Sequence, residues 1–293
     1  MRYFDRLHPI SAFFYFLMML LCAMLTMNPI IVSLCYIFGI LFCGMLIGAK
    51  KLFLSLACTV PLMLVIALIN PLFVHKGATV LFFLNSNPVT LESLVYGAVS
   101  SLMIMSVFYW CRAYGEIMTG DKFVYLFGRV SPRLSLILSM TMGFIPKFRR
   151  KFSEIDEAQR ALGIYATDSF FDRIRAKMRT LSILLTSVLE NSVDSADSMS
   201  ARGYDLGGRT SYSRYRFTLA DAAYLVFTLI LGGTVVTLVV LGAADFDYYP
   251  LISRTDGSPM PYVLYGLLAA FAGASVFMEV KENIIWRYLR SKI

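Results

Sequence analysis

The sequence predicts an all-α polytopic membrane protein with about six transmembrane helices and two long amphipathic helices on one side of the membrane. The composition is 58% hydrophobic and only 16% charged, with a mean hydropathy of +0.67. Soluble domains are about 45–50% apolar and about 25% charged. Long apolar runs recur along the chain, and basic residues are concentrated between alternate runs. The same composition excludes a soluble fold, a disordered chain and a coiled coil.

Six apolar runs approach or exceed the roughly 20 residues that a membrane-spanning helix requires. The helix-ending dipeptide Asn28-Pro29 separates the first two runs. Pro61 and Pro71 predict a kink in the third. A shorter apolar piece, 134–146, predicts a half-buried helix leading into the polar region that follows the fourth run. The predicted spans are residues 11–27, 29–49, 52–74, 91–111, 217–244 and 261–278.

Lysine and arginine predict the orientation, because they are enriched in cytoplasmic loops. Of the 27 basic residues, 25 fall in the segments 1–10, 50–51, 112–216 and 281–293. These segments share one face of a six-span topology, so that face is predicted to be cytoplasmic and both termini to lie inside. The loop 245–259 carries three aspartates and one arginine, which is consistent with an outer loop.

The predicted spans are almost free of charge. Residues 11–49 and 52–74 contain no charged side chain, and four acidic residues lie near span ends: Glu92, Glu116, Asp221 and Glu279. Ion-driven carriers usually hold an ionisable side chain at membrane depth. A self-contained ion-coupled secondary transporter is therefore the less favoured alternative, and the energy for transport is expected to come from elsewhere.

Two amphipathic helices are predicted in the basic region. Apolar residues recur at steps of three and four over 148–162 and again over 171–188, the spacing of one helix face. The first helix is predicted over 147–162. The second begins at residue 168 or 169, where Ser169 and Asp172 are similar to a capping box. It runs for about 50 Å to its stop.

Both helices end in Ala-x-Gly, at 161–163 and at 201–203. Glycine adopts the left-handed cap conformation without strain, and Arg202 presents a five-donor guanidinium group to a partner. A helix end that docks in a groove is one interpretation. The other is two surface helices with ordinary caps.

Neither a catalytic site nor a cofactor or metal site is predicted. The five cysteines lie in apolar runs without a CxxC pair, which predicts small buried side chains. Residues 203–210 nearly match a P-loop, but they have arginine in place of lysine and follow a helix rather than a strand. The basic run 147–151 follows an apolar piece, which favours lipid headgroups over nucleic acid. A membrane-embedded enzyme or scaffold is a third hypothesis, but clustered His, Asp or Glu residues are not evident.

Several segments resemble the transmembrane T component of energy-coupling-factor (ECF) transporters, the EcfT/CbiQ type. Residues 200–204 (Ser-Ala-Arg-Gly-Tyr) are similar to its Ala-Arg-Gly signature, and residues 157–163 (Glu-Ala-Gln-Arg-Ala-Leu-Gly) to the first copy of that signature. Residues 6–9 (Arg-Leu-His-Pro) resemble its Arg-Leu-Asp-Pro entry to the first span. Residues 144–146 (Phe-Ile-Pro) resemble the entry to its first coupling helix. One departure is Leu162, where the family usually has arginine.

The resemblance implies a non-catalytic subunit of an ABC-type importer for a vitamin or a metal ion, in a bacterial or archaeal cell membrane. Two cytoplasmic ATPases supply the energy, and a small S component binds the substrate. Each Ala-x-Gly end is implied to contact one ATPase, through Ala161, Leu162 and Gly163 at the first and Ala201, Arg202 and Gly203 at the second.

The expected layout has three parts. Residues 1–130 hold about four spans. Residues 131–216 hold the short membrane-embedded piece and the two coupling helices. Residues 217–293 hold the last two spans and a basic tail.

Overall fold

The computed structural model of the chain describes residues 3–74, 77–84, 87–163, 170–204, 215–250 and 259–290. These residues are almost entirely helical and divide into two compact units. The first unit comprises Met1–Thr119 and Tyr215–Ile293, and the second comprises Gly120–Arg214. In chain order the elements are α1 (Tyr3–Arg6), α2 (Pro9–Met24), α3 (Pro29–Ile47), α4 (Ala49–Phe73), β1 (Val80–Leu84), β2 (Asn87–Thr90), α5 (Leu91–Ile117), α6 (Gly120–Val130), α7 (Pro132–Ala161), α8 (Phe170–Ala201), α9 (Leu219–Val240) and α10 (Met260–Arg290).

Five helices among the described residues are long and apolar enough to span a membrane, namely α3, α4, α5, α9 and α10. The first predicted span, residues 11–27, forms α2, which is apolar but has only 16 residues. This helix is about 24 Å long at the usual rise per residue. Capping limits it, because His8 Nδ1 accepts a hydrogen bond from the Ile10 amide, and Asn28 caps the first turn of α3. The predicted all-α polytopic fold is confirmed, with a first span shorter than predicted.

An aromatic cluster forms the core of the first unit. Phe42 of α3 stacks on Trp110 of α5, with ring centroids 5.7 Å apart. Tyr15 of α2 packs against Phe271 of α10 at 5.3 Å, and all four side chains are buried. Gly39 allows the close approach of Trp110, because a Cβ atom at this position would lie 3.1 Å from the indole nitrogen. Packing between these aromatic side chains therefore joins α2, α3, α5 and α10.

The N-terminal and C-terminal segments meet at one end of the first unit. Arg6 Nη1 lies 3.5 Å from Glu282 Oε1, and the Arg6 guanidinium group lies 5.5 Å from the Trp286 ring centroid. Nearby in sequence, the His8 amide donates a hydrogen bond to Asp221 Oδ1 at 2.9 Å. Helix α1 and the last turns of α10 therefore lie at the same end of the first unit.

The other end of the unit is held by polar contacts between loops and helix ends. The Tyr248 hydroxyl donates to the Met27 carbonyl oxygen at 2.5 Å, and Asn28 Nδ2 donates to the Tyr265 hydroxyl at 3.0 Å. Burial raises the pKa of Tyr248, so this phenol keeps its proton, and its role as a donor, further into the alkaline range than an exposed tyrosine does.

Acidic residues near the span ends have structural partners. Glu92 accepts hydrogen bonds from the Thr79 amide at 3.2 Å and from the Thr79 hydroxyl at 2.6 Å. Asp221 and Thr218 form a reciprocal capping box at the start of α9. Glu279 of α10 is fully buried. Asp221 therefore caps α9, and Glu92, in the first turn of α5, holds the Thr79 segment against that helix, which gives both residues a role in stability.

Two elements of the structure were not predicted. The antiparallel hairpin of β1 and β2 lies between α4 and α5, and it pairs Val80 with Thr90. Its strands are short, so their β-branched and aromatic residues give only a weak signal in sequence. The amphipathic helix α6 lies in the region that the sequence predicts to be polar. It was missed because its 11 residues do not form a long apolar run.

The cysteine prediction holds for three of the five residues. Cys22, Cys35 and Cys43 are buried, whereas Cys58 and Cys111 are exposed, and none forms a disulfide. The prediction was wrong for Cys58 and Cys111 because they lie on outward faces of α4 and α5. An apolar run does not distinguish a face that contacts lipid from one that contacts protein.

The second unit contains α6, α7 and α8. The apolar piece 134–146 and the first amphipathic helix, predicted over 147–162, form the single 30-residue helix α7. Pro146 lies inside this helix, where it removes one backbone hydrogen bond without ending the helix. The second amphipathic helix is confirmed as the 32-residue α8, about 48 Å long. The predicted capping residue Ser169 lies outside the described residues.

Candidate functional site

Both Ala-x-Gly sequences end their helices as predicted. Gly163 and Gly203 have φ angles of 71° and 74°, the left-handed region that favours glycine. At the end of α8, the Gly203 amide donates to the Ser200 carbonyl and the Tyr204 amide to the Met199 carbonyl, each at 3.0 Å. These two bonds form a Schellman motif. At the end of α7, the Gly163 amide donates to the Arg160 carbonyl at 3.0 Å.

The residues before each glycine are exposed. Leu162 exposes 77% of its surface, a large fraction for an apolar side chain. Ala161, Ala201 and Arg202 are also exposed. Leucine is usually among the more buried residues, so an exposed leucine at a helix end is available to an apolar surface of a partner. The first end therefore presents an apolar side chain, and the second presents a guanidinium group.

Helices α7 and α8 pack against each other as an antiparallel pair. Thr180 Oγ1 of α8 donates to Gln159 Oε1 of α7 at 3.1 Å, and both residues are buried. Further along, the 139–147 segment of α7 faces the 191–202 segment of α8 across a groove. Residues nearer the start of α7 thus lie beside residues nearer the end of α8, so the two helices run in opposite directions.

The antiparallel arrangement separates the two Ala-x-Gly ends. Helix α7 ends two residues after Gln159, beside Thr180. From Thr180 to Ala201, α8 continues for 21 residues, about 32 Å at 1.5 Å per residue. The six candidate site residues therefore form two separate surfaces about 30 Å apart, and the structure does not bring them into one pocket.

The face that α8 uses against α7 differs from its apolar stripe. The buried residues of α8 are Ala176, Thr180 and Leu184, spaced four apart, and two of them are small. Most of the apolar residues at the predicted spacing are exposed instead, namely Phe171, Ile174, Met178, Leu181 and Leu185, and the last of them, Val188, is half-buried. An exposed apolar surface of this extent is characteristic of a region that meets lipid or another protein.

The groove between α7 and α8 was not predicted. It has a volume of about 530 Å³ and places Lys147, Asp194 and Arg202 around one opening. The sequence shows the apolar pattern of each helix, but neither pattern alone encodes the register between two antiparallel helices.

Within the described ranges, no group of three His, Cys, Asp or Glu residues is arranged to hold a metal ion.

Comparison with known protein families gives a match over most of the chain. Residues 4–212 match the family model of CbiQ, described as a cobalt transport protein. This region includes both Ala-x-Gly ends and both helices that carry them.

Individual relatives carry a consistent description. The energy-coupling factor transporter transmembrane protein EcfT of Listeria innocua is 30% identical over 183 residues, which cover 58% of this chain and 69% of that protein. The protein of the same description from Bacillus subtilis is 31% identical over 100 residues, covering 33% of this chain and 38% of that protein. The one from Exiguobacterium sibiricum is 31% identical over 101 residues, covering 34% and 38%. The chain, a multi-pass α-helical membrane protein, belongs to the CbiQ/EcfT family of transporter transmembrane components.

Proposed function

We propose that this chain is the transmembrane coupling subunit of an ECF-type importer. In this proposal it transmits ATP-driven motion from two cytoplasmic ATPases to a substrate-binding S component, for uptake of a vitamin or a metal ion. The chain has no catalytic role of its own, because the partner ATPases hydrolyse ATP. The main support is the presence of two exposed, glycine-terminated helix ends about 30 Å apart on one helical pair.

Two separated ends suit two separate ATPase subunits. One end consists of Ala161, Leu162 and Gly163, and the other of Ala201, Arg202 and Gly203. A guanidinium group donates to carbonyl or carboxylate oxygens in a fixed planar geometry, so Arg202 suits a polar groove. The exposed Leu162 offers apolar contact area at the first end. The packing of α7 against α8 links the two ends, and in this proposal it carries the movement of one ATPase to the other end.

The exposed apolar stripe of α8 suits the S component. An S component that moves within the membrane needs an apolar contact surface that lacks fixed polar pairs. Met178, Leu181 and Leu185 provide such a surface, and methionine adapts to more than one packing arrangement. Their exposure supports a contact with the S component or with lipid.

The proposed membrane placement follows the basic residues. Residues 1–130 and 217–293 form the main membrane part, and 131–216 hold the short membrane-embedded piece and the two coupling helices on the cytoplasmic side. The 25 of 27 lysines and arginines on one face support cytoplasmic termini. The proposed location is a bacterial or archaeal cell membrane.

The substitution Arg202→Glu tests the proposal. It places a repelling charge at the centre of a contact, where like-charge juxtaposition costs several kcal/mol. ATPase subunits are expected to copurify with the variant at a level at least ten-fold lower than with the wild type. Arg175→Glu is the matched control, because it makes the same charge change at another exposed position of α8.

The measurement is the ratio of ATPase to T subunit after affinity purification of the tagged chain from membranes. Retention of both ATPases at the wild-type ratio in Arg202→Glu would argue against docking at this end. An equal loss in Arg175→Glu would show a general charge effect.

A further inference from the structure

The groove between α7 and α8 has an apolar floor and a charged rim. Met140, Phe144 and Met199 line it and are half-buried, whereas Lys147 and Arg202 are exposed at its opening. Its volume of about 530 Å³ falls within the roughly 300–1,000 Å³ of small-molecule sites. The groove therefore has room for a headgroup-sized ligand with one polar and one apolar part.

The two cations on the rim are available to an anion. Lys147 Nζ lies 5.7 Å from the Phe144 ring centroid, and Phe144 stacks on Phe148 at 5.5 Å, so the ammonium group is held beside the floor. Among the residues that the structure describes, neither Lys147 nor Arg202 forms an ion pair, although Asp194 lies on the same rim. Two cations on one opening favour a phosphate group.

The groove also coincides with a change in the character of α7. Residues 134–146 are apolar, and the basic run 147–151 begins at the groove. Such a boundary occurs where a helix leaves the hydrocarbon region and enters the headgroup layer. Basic pockets at this depth bind the phosphates of lipids.

We propose that this groove binds the phosphodiester headgroup of a membrane phospholipid. Lys147 and Arg202 contact the phosphate, and the glycerol and upper acyl chains lie over the apolar floor. Asp194 and Asn191, further back along α8, suit a headgroup that carries a hydrogen-bond donor. Phosphatidylethanolamine and phosphatidylglycerol have such donors, whereas phosphatidylcholine has none. The site shares Arg202 with the proposed ATPase contact, whereas Lys147 belongs to the groove alone, so Lys147 is the residue that tests lipid binding separately from docking.

The test measures lipid binding to the full-length protein by native mass spectrometry, after delipidation and titration with each of these three lipids. Phosphatidylethanolamine and phosphatidylglycerol are expected to bind saturably, and phosphatidylcholine more weakly. Lys147→Ala is expected to weaken binding about five-fold, the factor for one cation at a lipid phosphate. Lys177→Ala, which removes an exposed lysine of α8 outside the groove, is expected to leave binding unchanged.

A second variant blocks the space and leaves the charge unchanged. Ser198 lines the groove, so Ser198→Trp is expected to reduce lipid binding at least as much as Lys147→Ala. Equal lipid affinity in the wild type and both variants would overturn the proposal. Full displacement of the lipid by an equal concentration of inorganic phosphate would identify a free-anion site and would also overturn it. If Ser198→Trp lost its ATPases but kept wild-type lipid affinity, the groove would belong to a protein partner instead.

Discussion

At the scale of single residues, Gly163 and Gly203 end their helices in the same left-handed backbone conformation, but each follows a chemically different residue. Their φ angles of 71° and 74° are nearly equal. A residue with a Cβ atom in this region costs roughly 1–2 kcal/mol. The preceding residues differ, since Leu162 is apolar and Arg202 is cationic. The two ends thus share a backbone conformation, and they differ in the side chain that each presents to its partner.

The left-handed glycine yields a prediction at the second end. Gly203→Ala strains the Schellman motif and is expected to lower ATPase copurification several-fold, whereas Gly203→Asn is expected to cost less because asparagine tolerates this conformation. The measurement is the subunit ratio of the purified complex. Gly233→Ala is the control, since Gly233 lies within α9 and a Cβ atom there meets open space. Identical losses for Gly203→Ala and Gly203→Asn would show that the left-handed conformation is not the cause.

Leu162 yields a prediction at the first end. Burying a leucine side chain contributes about 1.5–3 kcal/mol, and Leu162 is 77% exposed in the chain alone. Leu162→Ala is therefore expected to raise the dissociation rate of one ATPase several-fold, while Leu134→Ala, at the other end of α7, leaves it unchanged. Leu162→Arg is expected to be tolerated, because arginine is usual at this signature position. Loss of the complex in Leu162→Arg would show that the two ATPase grooves are chemically distinct.

At the scale of elements, helix periodicity predicts the existence of α7 and α8 but not how they pack. The steps of three and four identified both helices and both glycine stops. The same apolar stripe is left exposed in α8, which packs through Ala176 and Thr180. Periodicity locates the apolar face of a helix, which must be shielded from water. Lipid or a partner subunit can shield that face as well as a neighbouring helix can. Small side chains allow closer helix approach, so they decide the packing.

The buried pair between α7 and α8 yields a further prediction. Thr180→Val leaves Gln159 Oε1 without its Thr180 donor in a buried position, which costs about 1–3 kcal/mol and is expected to lower the thermal unfolding midpoint of the purified chain. The double variant Thr180→Val with Gln159→Leu is expected to recover much of this loss, since both polar groups are removed. Thr186→Val is the control, because Thr186 is exposed and donates to the Ser182 carbonyl of its own helix. Additive losses in the double variant would show that the pair is not coupled.

At the scale of the whole molecule, the alternation of apolar runs and basic loops predicts the passes and their common ends. The Arg6–Glu282 and Tyr248–Met27 contacts agree with that topology. The aromatic core was not predictable, because α3 and α4 are apolar on all sides. Helix α4 is nonetheless far less buried than α3. Hydropathy separates a membrane segment from a soluble one, but it does not separate a lipid-facing side from a protein-facing side.

The most direct test of the whole account is transport in liposomes. The purified chain would be reconstituted alone and, in parallel, with its two ATPases and an S component, and ATP hydrolysis and solute uptake would be measured in both. We expect the chain alone to show neither activity, and the complete assembly to show uptake that depends on ATP and is reduced by Arg202→Glu. Solute uptake driven by an ion gradient, or hydrolysis of nucleotide, by the chain alone would contradict its role as a passive coupling subunit.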